Sequence, residues 1–263
     1  MAATFHSFLF NVDERGVATV TLNRPEKLNA ISMEVRYELP ALADELARNE
    51  TIRAVVITAK GRAFCVGADV EYFERDWRSP TLRAFTRILT RFFDSLEELE
   101  KPVLAAINGT CVGGGLELAL ACDLRLAAEG ARFGFPENNI GVIPGVGGCS
   151  RLVKMVGMGI AKELLMTGRI FDAAEARQIG LVNHVVPSDQ LAAKTNEVLD
   201  LLLAKAPIAL GLVKRVAWSA GNVDASTARV FETLAQSILV TTRDHKEGLA
   251  AFRGKRSPKF SGR

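Results

Sequence analysis

Apolar and polar positions alternate with period two over "VATVTLN" (17–23), which predicts a strand. After a loop, "RPEKLNAIS", the period lengthens. Val35, Leu39, Leu42 and Leu46 recur at helical spacing, and Ser32 stands where a helix cap belongs. Pro40 falls inside that pattern and predicts a kink or two shorter helices. Two short apolar runs, "RAVVITA" (53–59) and "KPVLAAING" (101–109), read as buried strands. Between them lie a glycine-punctuated turn, "GRAFCVGADV", and a polar loop, "EYFERDWRSP". A helix then begins near Pro80, with Leu82, Phe85, Leu89, Phe92, Leu96 and Leu99 on one face. "CVGGGLELALACD" (111–123) reads as a glycine turn entering a helix, and "LRLAA" and "RFGFP" as short strands. Strand character ends after "GLVNHVVP", and from about Asp189 only helices are predicted. No fixed sequence period repeats. The pattern is α/β over residues 1–188, followed by an all-helical region at 189–263.

Composition adds exclusions rather than a function. The 263 residues suffice for a sizeable core, and 48% hydrophobic and 24% charged residues are ordinary for a globular chain. The net charge of +3 is interspersed, without the basic run that nucleic acid or an anionic membrane selects. The basic "RGKRSPK" near the end reads as a solvated tail. Cys65, Cys111, Cys122 and Cys149 form no CxxC pair and only three histidines accompany them. This argues against a zinc site or a disulfide framework and for a reducing, cytoplasmic setting. The first residues lack the basic and apolar regions of a signal peptide, and no apolar run approaches the ~20 residues that cross a bilayer. The sequon Asn108-Gly109-Thr110 is then read as chance.

Candidate chemistry concentrates at the glycines. In the triplet Gly113 to Gly115 a strand gives way to a helix, so backbone N–H groups are left open to a developing negative charge. The same turn serves equally well as tight strand-to-helix packing. The dinucleotide fingerprint GxGxxG is absent there, and no phosphate-loop GK[ST] occurs. Glu117, one turn into the helix, is flanked by Leu116, Leu118, Ala119, Leu120 and Ala121, with no base on its face. Helix-end complementarity would explain it if exposed. Buried without a cation, it has a raised pKa or holds something polar. A second glycine turn, Ala63 to Val70, has the same design, and the two together can supply converging donors for an oxyanion. Glu137 lies in the glycine-rich "FGFPENNIGVIPGVGG", where a solvated loop residue is the plain alternative.

Together, "AFCVGADV", "INGTCVGGGLELALACDLRLA", "RFGFPENNIGVIPGVGG" and "GLVNHVVP" resemble the enoyl-CoA hydratase/isomerase family, the crotonase superfamily. The resemblance runs from "TLNRPEKLNAIS" to "AFRGKRSPKF" and is nearest to the hydratases. It implies a crotonase-like spiral of repeated strand-strand-helix units, with a C-terminal helical region that packs homotrimers or homohexamers. It implies an acyl-CoA thioester substrate whose carbonyl oxygen is bound by the N–H groups of Ala68 and Gly114. Glu117 and Glu137 match the two glutamates that hold water for addition across the 2,3-double bond, giving a 3-hydroxyacyl-CoA. From the residues alone either can be the proton donor. The resemblance favours Glu117 on the water and Glu137 on C2. The substrate site it implies also includes Ala63, Cys65, Val66, Gly67, Asp69, Val70, Gly113, Pro136 and Gly145. CoA would run past Arg24, Lys27 and Ala30, and Phe260 would approach CoA on a neighbouring subunit. Arg24 and Lys27 serve equally as solvated charges. Tyr72, Phe73, Trp77 and the "NNIGVIPG" loop are candidates for the acyl pocket. Asn138-Asn139 and Cys149-Ser150 depart from the family pattern near that pocket. No metal or redox cofactor is implied, CoA entering as part of the substrate, and neither nucleic acid nor membrane is a partner. The competing readings are a Δ3-Δ2-enoyl-CoA isomerase, which needs one carboxylate and no water, another acyl-CoA enzyme of the fold, or a non-catalytic CoA- or RNA-binding member.

Overall fold

The computed structural model of the protein describes residues 5–263. An antiparallel pair opens the chain, β1 (Phe8–Val12) and β2 (Val17–Leu22), with Asp13 bonding the Arg15 and Val17 amides in the turn. Helix α1 (Met33–Arg48) follows, capped by the Ser32 hydroxyl, which accepts from Val35 N. The chain then coils three times. The first coil is β3 (Ala54–Ala59), β4 (Ala63–Cys65), a short α2 (Val70–Phe73) and a long α3 (Ser79–Glu98). The second is β5 (Val103–Ile107), β6 (Thr110–Val112) and α4 (Gly114–Leu120). The third is β7 (Leu124–Ala128), β8 (Arg132–Gly134), α5 (Gly148–Val156) and α6 (Met158–Thr167). β9 (Phe171–Asp172), α7 (Ala173–Gln178) and β10 (His184–Val186) close the strand-bearing part. Four helices end the chain: α8 (Leu191–Leu203), α9 (Pro207–Ala220), α10 (Ala225–Leu239) and α11 (Arg243–Arg253).

The first strand of every coil enters a six-stranded sheet of order β1-β2-β3-β5-β7-β10, and the second a four-stranded sheet of order β4-β6-β8-β9. This is the expected spiral. Within the coils the pairing is parallel: Val55 faces Val103, Leu104 faces Leu124, and in the small sheet Cys111 faces Phe133. The structural repeat has no sequence period because the helical part of a coil varies from the seven-residue α4 to the twenty-residue α3 plus α2.

Side chains of the large sheet alternate between two cores, as the pleat requires. Val55, Ile57, Val103, Ala105, Ile107 and Ala127 face the interior with α1, α3 and α4. Ala54, Val56, Leu104, Ala106, Leu126 and Ala128 face the other way, under Leu191, Val198 and Leu199 of α8. Burial on both faces explains why these strands read as unbroken apolar runs.

Three expectations meet the structure differently: one is narrowed, one corrected and one extended. Helix α1 runs on through the exposed Pro40 from Met33 to Arg48, so the segment is one helix rather than two shorter ones. The polar loop after Asp69 contains helix α2, held by aromatic packing of Tyr72 on Phe85 and Trp77. The basic "RGKRSPK" is exposed throughout, as expected of a solvated segment, and the tail is also strapped to α11. Asp244 accepts from the Ser261 and Gly262 amides, and Glu247 from Arg256 and the Lys259 amide.

Candidate active site

The two glycine turns follow β4 and β6, which are neighbours in the small sheet. Their backbones therefore meet. A Cβ built on Gly67 would lie 3.0 Å from the Gly114 nitrogen, and one on Gly114 would lie 3.7 Å from the Ala68 nitrogen. Gly67 has φ +94° and Gly113 φ +54°, conformations a side chain resists, so glycine is required to turn both chains here. The surrounding amides are engaged: Asp69 N donates to Ile31, Gly113 N to Gly134, and Leu116 N and Glu117 N to Gly113. The Ala68 and Gly114 N–H groups donate to nothing among the described residues. Two adjacent unspent donors are what an oxyanion needs.

Glu117 stands on α4 and is 3% exposed. Among the described residues no cation forms a salt bridge with it, although the charge of Arg151 lies near enough to favour its ionised form. Its Oε1 accepts from the amides of Val146 (2.8 Å) and Gly148 (2.9 Å), on the loop leading into α5. Burial pushes its pKa up to about 7, the two amides pull the other way, and Glu137 adds repulsion. Glu137 sits in a 3-10 turn, Pro136–Ile140. Its Oε2 is buried without a hydrogen-bond partner, and burial raises its pKa too. A Cβ on Gly113 would lie 2.9 Å from Glu137 Oε1, so this carboxylate adjoins the second glycine turn. The site thus combines two unspent donors with two carboxyl groups.

The loop that grips Glu117 is itself gripped. Arg151 on α5 donates to the Val146 carbonyl (2.9 Å) and reaches Asp94 (2.6 Å) and Glu97 (2.7 Å) on α3. Sequence reasoning missed Val146, Gly148 and Arg151. Amide donors leave no side-chain signature, and only the glycine cluster "PGVGG" hints at a backbone meant to approach something closely.

The remaining expected residues divide into groups. Ile31 pairs with Ala68, which brings Ala30, Val66, Gly67 and Asp69 beside the oxyanion donors. Arg24 does not stand free: its guanidinium donates to the Ala30 carbonyl (2.8 Å) and pairs with Asp69 (3.4 Å). Lys27 is exposed, as are Val70 and Gly145, while Pro136 starts the turn that carries Glu137. Ala63 and Cys65 are sealed in the core, so neither side chain can meet a ligand. Burial pushes the Cys65 thiol up to about 12. Asn29, which the sequence reading passed over, is buried and ties the Lys60 and Ala63 carbonyls together. Phe260 lies elsewhere in this chain, against Gly248 in a cleft of about 600 Å³ shared with Arg53 and Lys101. Among the described residues no three His, Cys, Asp or Glu side chains cluster as metal ligands, and no helix is long and apolar enough to cross a membrane.

Residues 13–263 match the family described as Enoyl-CoA hydratase/isomerase. The chain is 39% identical to the short-chain-enoyl-CoA hydratase of Clostridium acetobutylicum, over 92% of this chain and 93% of that protein. It is 36% identical to the crotonyl-CoA hydratase of Syntrophomonas wolfei, over 94% and 95%. The crystal structure of the enoyl-CoA hydratase from Bacillus anthracis superposes with a TM-score of 0.94 at 36% identity, covering 98% of this chain and all of that one.

Proposed function

The chain belongs to the enoyl-CoA hydratase/isomerase family, and from that premise we propose how it works as an enoyl-CoA hydratase, adding water across the 2,3-double bond of a 2-enoyl-CoA thioester. The observation that carries the reading is the unequal support of two carboxyl groups, one buried and one half-buried, in a site with two unspent amides.

The thioester carbonyl oxygen binds the Ala68 and Gly114 N–H groups. As water attacks C3, charge moves onto that oxygen and both bonds strengthen, each such donor being worth about 3–4 kcal/mol. Glu117 is the base: its ionised form is the one that two amides stabilise. Glu137 is the acid: its Oε2 is buried and receives no hydrogen bond, so that oxygen is free to carry the proton handed to C2, although burial lifts its pKa less than that of Glu117. The water oxygen bonds to C3, its proton goes to Glu117, and the Glu137 proton goes to C2. Transfer of the proton from Glu117 back to Glu137 resets the pair. An isomerase needs one carboxyl group to carry a proton between carbons. A second carboxyl group here has no use in that chemistry.

CoA enters as part of the substrate, along the Arg24–Ala30 segment with exposed Lys27 on its polyphosphate side, and no metal or redox group is needed. The helical region packs homotrimers that can pair into hexamers, supported by the apolar residues exposed on α9 to α11. A cytoplasmic setting is supported by four free cysteines, three of them buried.

The test is absorbance of the conjugated thioester on mixing with the protein. Hydration removes the band and yields a 3-hydroxyacyl-CoA. An unchanged band for every 2-enoyl thioester tried, or conversion of a 3-enoyl thioester without hydration, refutes the reading.

A further inference from the structure

Three arginines are buried among the described residues: Arg36, Arg125 and Arg151. Arginine is rarely buried unless its donors are used. Arg125 spends its donors on the carbonyls of Leu181, Ala119 and Cys122, and Arg151 on Asp94, Glu97 and the Val146 carbonyl. Arg36 is 2% exposed and does neither. Its Nε is sealed without a partner, as is that of Arg151, but among the described residues no carboxylate pairs with the Arg36 guanidinium, and Tyr72 is the side chain that favours its charge, by hydrogen bonding as well as by its field. The group rests instead against aromatic rings, 4.1 Å from the Tyr72 centroid and 4.7 Å from that of Phe85. Ring faces offset part of the cost of burying the charge. They do not replace acceptors for five in-plane N–H donors. The missing acceptor is planar and anionic, since that is the shape a guanidinium fork matches.

The position of Arg36 says what would carry that acceptor. Ile31 pairs with Ala68, and Ser32 caps α1 one residue later, so Arg36 lies on the first turn of the helix that starts beside the oxyanion donors. Tyr72 and Phe73 lie on α2, which begins two residues after Ala68. The CoA-side segment, Arg24 to Ala30, lies on the opposite side of Ile31 in the chain. Arg36 therefore stands where α1 and α2 leave the Ala68 turn, stacked on Tyr72. Given the hydratase reading above, on which this rests, we propose that Arg36 is a specificity-determining residue that binds a carboxylate at the distal end of the acyl group. The substrate class is then a CoA monothioester of an unsaturated dicarboxylic acid, not of a plain fatty acid.

Pairs of 2-enoyl-CoA thioesters of equal length, ending in a carboxylate or in a methyl group, test this over a graded series of lengths. The expected result is a kcat/KM about 10–100-fold higher for the carboxylate at the length that fits, the range of a charged hydrogen-bond pair. Arg36→Met should remove that preference by lowering turnover of the carboxylated thioester alone, and Arg36→Lys, which keeps the charge without the fork, should fall between. The proposal is overturned if the unmodified enzyme prefers the methyl terminus at every length, or if Arg36→Met slows both members equally. If Arg36→Met does not fold, the preference of the unmodified enzyme still decides. If no enoyl thioester is hydrated, calorimetry with saturated CoA monothioesters separates the two claims. Tighter binding of the carboxylated ligand sustains the Arg36 assignment and sinks only the hydratase reading, whereas equal or weaker binding sinks the Arg36 assignment as well.

Discussion

At Glu117, burial and two backbone hydrogen bonds act in opposite directions on one carboxyl group, and burial wins. The folded pKa of about 7 lies above the ordinary 4.5, so the folded chain holds this proton more tightly than the unfolded chain. Stability therefore falls as pH rises between those values, and the full penalty, roughly 3 kcal/mol, applies above them. Glu117→Gln should stabilise the protein by up to that amount at pH near 8 and by little near pH 5, as read by urea unfolding at both. An equal gain at both values would contradict the assignment. The same substitution, and Glu137→Gln, should each slow hydration by about 10²–10⁴-fold while thioester binding changes little. The double variant should be far less than multiplicatively worse, since both groups act on one water. Steady-state rates beside calorimetry check this, and near-normal hydration by Glu117→Gln would remove it from the mechanism. The acid limb of kcat/KM should fall below pH about 7, where the base is protonated. Glu117 was legible in the sequence because a lone carboxylate on an apolar stripe needs a reason. Its partners were not, because Val146 and Gly148 act through amides. Arg36 was not legible either, since it looks like any polar residue between Val35 and Tyr37 until burial is known.

Among the elements, α4 and β4 approach more closely than any side chain permits. A Cβ on Gly115 would fall within contact distance of the Cys65 carbonyl and 2.7 Å from the Cys65 Cβ. Gly115→Ala should thus push α4 off the small sheet, costing about 1–3 kcal/mol or more and moving the Gly114 donor. A lowered Tm together with a fall in kcat larger than any change in KM is expected. Unchanged stability would mean that the helix can shift freely. The long elements, α1, α3, β3 and β5, were legible because each repeats its period several times or forms an apolar run. The strands of the small sheet have two or three residues, too few to show a period; β8 was legible as a strand in "RFGFP", but β4 and β6 read as parts of glycine turns. Helix α2 was hidden for a related reason: four residues held by Tyr72 against Phe85 depend on a contact that local sequence does not reveal.

Over the whole molecule, the C-terminal helices leave Val213, Trp218, Val230, Leu234, Ile238 and Phe252 exposed, more apolar surface than a solitary chain ordinarily shows. Sedimentation should find a multiple of 28.5 kDa at micromolar concentration, and a stable species of 28.5 kDa would refute the trimer. The division into strand-bearing and helical parts was legible because strand character stops at one place in the chain. The spiral itself was recoverable only by resemblance, since its coils differ in length. That spiral has a consequence for what substitution can alter. The Ala68 and Gly114 donors leave successive coils at the ends of adjacent strands, so the gap between them is gauged by the ladder, about 4.8 Å from strand to strand. Away from the glycines that let the turns close, side chains do not calibrate that ruler. Coils can lengthen on the outside, and pocket residues can be exchanged, while the spacing proposed to grip a thioester oxygen stays a constant of the polypeptide.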